Sequence, residues 1–139
     1  MYVVDASVWV ARLVPQDIHH EASRTWLSGR VDEGELVAMP AIALPEIAGA
    51  IARRTGSSDM GNRAIALLQQ LPNARLVPVD RPLAVLAAGI AAELYLRGAD
   101  ALYVALARRL SVALVTWDGE QLARAQGAVE AVTPQVVVE

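Results

Sequence analysis

The chain has 139 residues, 55% hydrophobic, 4% aromatic and 19% charged, a length near that of one domain and an apolar content that excludes wholesale disorder. Its net charge of −3, from 12 basic and 15 acidic residues, is not that of a protein holding a polyanion by bulk charge. The absence of Cys excludes disulfide scaffolds, zinc-thiolate centres and thiol nucleophiles; every cation is Arg, which excludes lysine chemistry and leaves bidentate phosphate contacts open.

Tyr2–Val4 reads as a short buried strand running into Asp5. Positions 18–30 read as a helix with Ala22, Trp26 and Leu27 on one face. Positions 35–38 fit a brief strand before Pro40. Helices follow over 41–54, stopped at Gly56, and over 58–71, stopped by Pro72. The next strand is 75–79. Asp80-Arg81-Pro82 then caps a long apolar helix through Leu96, with Gly98 as its stop. A helix opens at Asp100 and runs to Leu110, 112–116 is a strand, Asp118 begins a short helix, and 128–132 is a last strand before Pro134.

Strands that alternate with helices, without hairpin turns, predict a mostly parallel sheet covered on both faces. The expected class is three-layer α/β, in a single domain over 1–139. The longest charge-free stretches, 64–74 and 82–92, are about half of the ~20 residues a membrane span needs. The start, Met-Tyr-Val-Val-Asp, lacks the basic region of a secretory signal. A cytoplasmic location, with no membrane partner, is the expectation.

Ligands of such sheets bind beyond the carboxyl ends of the strands, near the point where strand order reverses. Asp5 ends the first strand there, and Asp118 follows the 112–116 strand by way of Trp117. Asp100 opens the preceding helix on the same side. Helix N-capping alone accounts for a short carboxylate at each position, and Gln121, three residues after Asp118, resembles a capping box. Asp80 reads as a cap only.

Glu46 is different. It lies in Ile42-Ala43-Leu44-Pro45-Glu46-Ile47-Ala48, where a carboxylate either faces solvent or is buried at a cost unless paired. The functional alternative is that it reaches a pocket holding the three aspartates. Carboxylates so gathered repel, by about 4 kcal/mol for a pair ~4 Å apart at an effective dielectric near 20. They persist by taking up protons or binding cations. An all-oxygen set suits Mg²⁺ or Mn²⁺. His19 and His20 are adjacent, point about 100° apart on a helix, and read as exposed surface rather than as zinc ligands.

Four segments resemble one family. They are Val-Val-Asp5-Ala-Ser7, Pro45-Glu46-Ile-Ala-Gly-Ala-Ile-Ala-Arg-Arg54, Gly98-Ala-Asp100-Ala-Leu-Tyr-Val-Ala-Leu-Ala107 and Leu114-Val-Thr116-Trp-Asp118-Gly-Glu-Gln-Leu122. Over essentially its whole length the chain resembles PIN-domain ribonucleases, and among them the VapC toxins of type II toxin–antitoxin systems. The resemblance implies a PIN fold with Asp5, Glu46, Asp100 and Asp118 as an acidic tetrad. Asp5, Asp100 and Asp118 would contact Mg²⁺ (or Mn²⁺) directly, and Glu46 would be a ligand or orient the water. It also implies an RNA substrate cut to 5′-phosphate and 3′-hydroxyl ends, and a homodimer. The implied partner is a VapB-like antitoxin, whose tail fills the groove and sets a cation in the acidic pocket.

Ser7 and Thr116 are supporting hydroxyls in that family; as residues they read equally well as a first-turn helix position and a β-former at a strand end. Trp117 packs on the rim or stacks on a base. Arg53 and Arg54 lie two turns after Glu46. With Arg12 and Arg97 they are candidates for gripping phosphates, or ordinary solvated surface. A phosphoaspartyl phosphatase needs an acid where this chain has Ser7, and a receiver module needs a lysine. A PIN nuclease acting outside a toxin–antitoxin pair, or a PIN scaffold without turnover, stays open.

Overall fold

Residues 1–135 are described in the computed structural model; positions 136–139 of the expected 1–139 domain lie outside the described residues. The elements run β1 (Tyr2–Val4), α1 (Ala6–Leu13), α2 (His20–Asp32), β2 (Val37–Pro40), α3 (Ala43–Thr55), α4 (Ser58–Gln70), β3 (Ala74–Val77), α5 (Arg81–Leu94), α6 (Gly98–Leu110), β4 (Leu114–Val115), α7 (Gly119–Ala125) and β5 (Ala131–Val132).

The sheet is parallel throughout, in the order β3-β2-β1-β4-β5. The chain steps outward from β1 to β3, then returns to the other side of β1 for β4 and β5. Strand order therefore reverses between β1 and β4. Asp5 follows β1 at that crevice, and its N–H donates to Val115 O of β4 at 2.9 Å. Successive strand residues face opposite sides of a sheet. Val3 and Val4 are both fully buried, as are Val37 and Met39, with Ala38 between them at 1% exposure, so helices cover both faces. The three-layer α/β expectation holds.

α6 crosses β1, β2 and β4, and Tyr103, Val104, Ala105, Leu106 and Ala107 are all fully buried on it. This packing holds the first turn of α6, with Asp100, at the sheet's carboxyl rim. Among the described residues no single helix is long and apolar enough to cross a membrane; α5 and α6 are so only together, and they meet at 112°.

Several expectations shift. α1 follows the Asp5 cap with Ser7 in its first turn, but the sequence gives it no bounds, because Val8, Trp9, Val10 and Ala11 are all buried in succession and blur the helical period. α2 begins at His20 rather than 18, and its buried face is Ser23, Trp26 and Leu27 instead of Ala22, Trp26 and Leu27. β2 includes Pro40, beyond the last β1 pairing, where a missing N–H costs no ladder bond to β1. α5 stops at Tyr95, whose φ of 57° is left-handed, and not at Gly98, which opens α6. Gly56 ends α3 as expected, with φ 69°.

Candidate active site

Asp5 is 6% exposed and caps α1: its Oδ2 accepts from Ser7 N at 3.0 Å and from Thr116 Oγ1 at 3.2 Å. Thr116 Oγ1 also accepts from Asp118 N at 3.0 Å and lies 3.3 Å from Ser7 Oγ. A hydroxyl has one proton to give. Thr116 gives its proton to Asp5, so Ser7 donates to Thr116, while Ser7 Oγ accepts from Trp117 N at 3.0 Å. Two short hydroxyls thus tie the ends of β1 and β4 into one directional chain that terminates on the Asp5 carboxylate.

Asp118 caps α7, its Oδ1 accepting from Gln121 N at 2.8 Å. The capping box is only half formed. Gln121 is fully buried, and its side-chain amide donates to Asp100 O at 3.2 Å instead of returning to Asp118. Asp100 caps nothing; it sits in the first turn of α6, whose cap position is Arg97. The Arg97 guanidinium bridges two acids, Nε to Asp100 Oδ2 at 3.2 Å and Nη2 to Asp118 Oδ2 at 3.5 Å.

Glu46, in the first turn of α3, turns inward. Its Oε1 accepts from the hydroxyl of Tyr103 at 2.7 Å. The partner is thus a neutral phenol and not a cation. Burial raises the Tyr103 hydroxyl far above its usual range, with the Asp5 and Glu46 charges acting the same way, so it stays a donor. Three of the carboxyls are pushed upward as well. Burial is the largest cause for Asp5, and the nearby Asp118 adds to it. For Glu46 burial is joined by repulsion from Asp5 and Asp100, and for Asp100 by repulsion from Asp5 and Asp118. The four acids therefore feel one another although they come from four elements.

They line one open cleft of about 510 Å³, together with Ser7, Arg53, Arg54, Arg97, His19 and Trp117. Arg54 is paired with Asp17 at 2.8 Å. Among the described residues Arg53 has no carboxylate partner. Arg12 is not in this cleft; it borders a separate apolar one between α1, α2 and α4. His19 also departs from expectation, since its ring lies flat on Trp117, with centroids 3.8 Å apart and planes 7° from parallel. His20 Nδ1 lies 3.0 Å from Ala11 O. Tyr103, Gln121 and His19 are the site residues that the sequence reading did not assign. For Tyr103 a signal existed: it lies three residues after Asp100, on the same helical face.

The PIN domain family model matches residues 2–128. The chain belongs to the PIN domain family. Among solved PIN-like structures, FitAcB from Neisseria gonorrhoeae is 25% identical over 97% of this chain and 99% of its own, with a TM-score of 0.72. VapC20 from Mycobacterium tuberculosis, described as a Sarcin-Ricin loop cleaving toxin, is 22% identical over 88% and 94%, with a TM-score of 0.73. A toxin–antitoxin complex from Klebsiella pneumoniae is 17% identical over 96% and 98%, with a TM-score of 0.67. No curated protein sequence matches the chain.

The donor set of this PIN cleft is compatible with a hard divalent ion. One oxygen of each of three acids is fixed by a protein donor: Asp5 Oδ2, Glu46 Oε1 and Asp100 Oδ2. Among the described residues no donor reaches Asp5 Oδ1, Glu46 Oε2 or Asp100 Oδ1. Oxygen donors without nitrogen or sulfur suit Mg²⁺ or Mn²⁺. As they stand, no three His, Asp or Glu groups among the described residues share a geometry that would hold one ion. The Arg97 guanidinium supplies the countercharge between Asp100 and Asp118 instead.

Proposed function

We propose that this protein is a metal-dependent endoribonuclease and the toxin half of a VapBC-type toxin–antitoxin pair. One observation carries the reading: at the crevice between β1 and β4, four carboxylates from four elements converge on one cleft, three of them with an oxygen that no donor among the described residues reaches. Asp5, Asp100 and Asp118 would hold Mg²⁺ or Mn²⁺. The ion supplies charge neutralisation at a phosphodiester and acidifies a water.

The chain's own residues do the rest. Thr116 and Ser7 hold the Asp5 carboxylate by donors that cannot swing away, since both hydroxyls are spoken for. Tyr103 fixes Glu46 so that Oε2 is free to orient a water and accept its proton. Arg53, Arg54 and Arg97 offer planar donors to phosphate oxygens along the cleft. The test is cleavage of total RNA with Mg²⁺ or Mn²⁺ by the wild type and by Asp5→Asn, Glu46→Gln, Asp100→Asn and Asp118→Asn. Each variant is expected to lose at least a hundredfold, on the scale of a removed transition-state contact. Undiminished cleavage by the three aspartate variants removes the reading.

The partner half is supported by the apolar cleft walled by Trp9, Leu27, Leu67 and Leu68, about 190 Å³, with Arg12 beside it. Leu67 is 57% exposed there. An antitoxin segment with apolar side chains and an acid would cover it. Induced expression is expected to arrest growth, Asp100→Ala to abolish the arrest, and a co-expressed antitoxin to relieve it unless Leu67→Asp blocks docking. The exposed apolar face of α5, with Val85 at 64% exposure beside Ala88 and Ala92, supports a homodimer. Sedimentation at micromolar concentration is expected to give twice the chain mass.

A further inference from the structure

The side chains of the stacked pair His19 and Trp117 hold none of the four acids, yet they form part of the wall of the same cleft. Trp9 and Trp26 are 3% and 1% exposed and serve the core, whereas Trp117 is only partly buried. Trp117 is anchored twice, once through its ring and once through its backbone. The indole N–H donates to the fully buried Ser23 Oγ at 2.8 Å, and the backbone N–H donates to Ser7 Oγ, the hydroxyl that leads to Asp5. The His19 main chain is held in turn, its backbone N–H donating to Asp17 Oδ1 at 2.8 Å, while Asp17 pairs with Arg54. A flat aromatic surface is therefore registered against both the carboxylates and an arginine.

We propose that the His19–Trp117 stack is a platform on which one unpaired nucleobase of the RNA substrate lies, next to the phosphodiester held over the acids. The inference rests on the nuclease reading and adds what that reading leaves out, namely contact with a base. Every base has a π-face, so the platform selects unpaired over paired nucleotides more than one base over another.

The test compares two probes that share a phosphate and differ in the base, adenosine 5′-monophosphate and ribose 5-phosphate. Tryptophan fluorescence and calorimetry follow their binding to the intact chain in Mg²⁺. The wild type is expected to bind the nucleotide about tenfold tighter than the sugar phosphate, with quenching of the Trp117 emission, because a stacked base is worth about that factor. Trp117→Leu and His19→Ala are expected to erase the gap while leaving the affinity for ribose 5-phosphate unchanged. Trp117→Tyr and His19→Phe, which keep the stack and the fold, are expected to retain it. A merely structural strut between α2 and the β4–α7 junction would lower thermal stability without moving this ratio. Equal binding of the two probes by the wild type, or a gap that survives in folded Trp117→Leu, overturns the platform. RNA cleavage by the wild type is scored separately, so the nuclease reading and the platform fail on different measurements.

Discussion

Asp5, Glu46 and Asp100 are held above the usual carboxylate range, by burial first and mutual repulsion second. A group whose pKa is raised on folding binds protons more tightly in the native state, so it favours the native state below the ordinary carboxylate range and loses that contribution as pH climbs through the raised values. In chelator, the melting temperature is thus expected to fall as pH climbs above the ordinary carboxylate range, against the usual trend of acid denaturation. Asn keeps the acceptor for Ser7 and Thr116 but carries no charge. Asp5→Asn should therefore flatten this slope and raise the neutral-pH midpoint by roughly 2–4 °C, about 1 kcal/mol. A midpoint that rises with pH contradicts the clustering of charge. Arg97 gives the complementary case. Its guanidinium opposes a cation at Asp100 and Asp118, so Arg97→Gln is expected to bind Mn²⁺ several-fold more tightly in calorimetry, and weaker binding would show that Arg97 assists the ion. The four acids were legible in the sequence because each breaks an apolar run at a strand end or helix start. The Tyr103–Glu46 pair spans 57 positions, farther than a local pattern shows, and which cleft Arg12 borders is decided by how α1 packs and not by the residues around it.

At the scale of elements, helix ends and close approaches decide what the chain tolerates. Tyr95 terminates α5 in left-handed backbone, which costs a residue with a Cβ about 1 kcal/mol relative to Gly, and the residue is 80% exposed. Tyr95→Gly is expected to stabilise the fold by about 0.5–1 kcal/mol in denaturant titration. α3 and α4 meet at Gly61, where an added Cβ would stand 2.7 Å from Ala48 O and 3.5 Å from Ala52 Cβ. Backbone cannot move aside as a side-chain tip can, so Gly61→Ala should cost about 1–3 kcal/mol despite Ala's better helix propensity. A neutral or stabilising result would mean that the helices are free to separate. The same distinction explains which elements were legible. Helices such as α4, with one apolar stripe, announce themselves by period; α1, enclosed along Val8 to Ala11, does not. Strand ends drifted because β4 and β5 are short, while ladder bonds such as Thr116 N to Val132 O reach past them.

For the whole molecule, the net charge of −3 sets the terms on which a polyanion binds. Three arginines face the cleft, and two of them are engaged, Arg54 with Asp17 and Arg97 with Asp100 and Asp118. Of these three, Arg53 is the one with no carboxylate partner among the described residues, and it is ready to displace counterions from a phosphate. Single-stranded nucleic acid loses affinity with a logarithmic salt slope of about −0.7 per phosphate neutralised. Binding of an octaribonucleotide in Ca²⁺ should then show a slope between about −0.7, from Arg53 alone, and about −2, if all three arginines engage. Arg53→Gln should make it shallower by about 0.7. A slope of about −4 or steeper would demand phosphate contacts over a wider basic surface, which this acidic chain would have to borrow from a partner. A shallow slope would instead leave affinity to the divalent ion and to stacking, both of which survive at high salt, and would reconcile the proposed RNA substrate with a chain of this net charge.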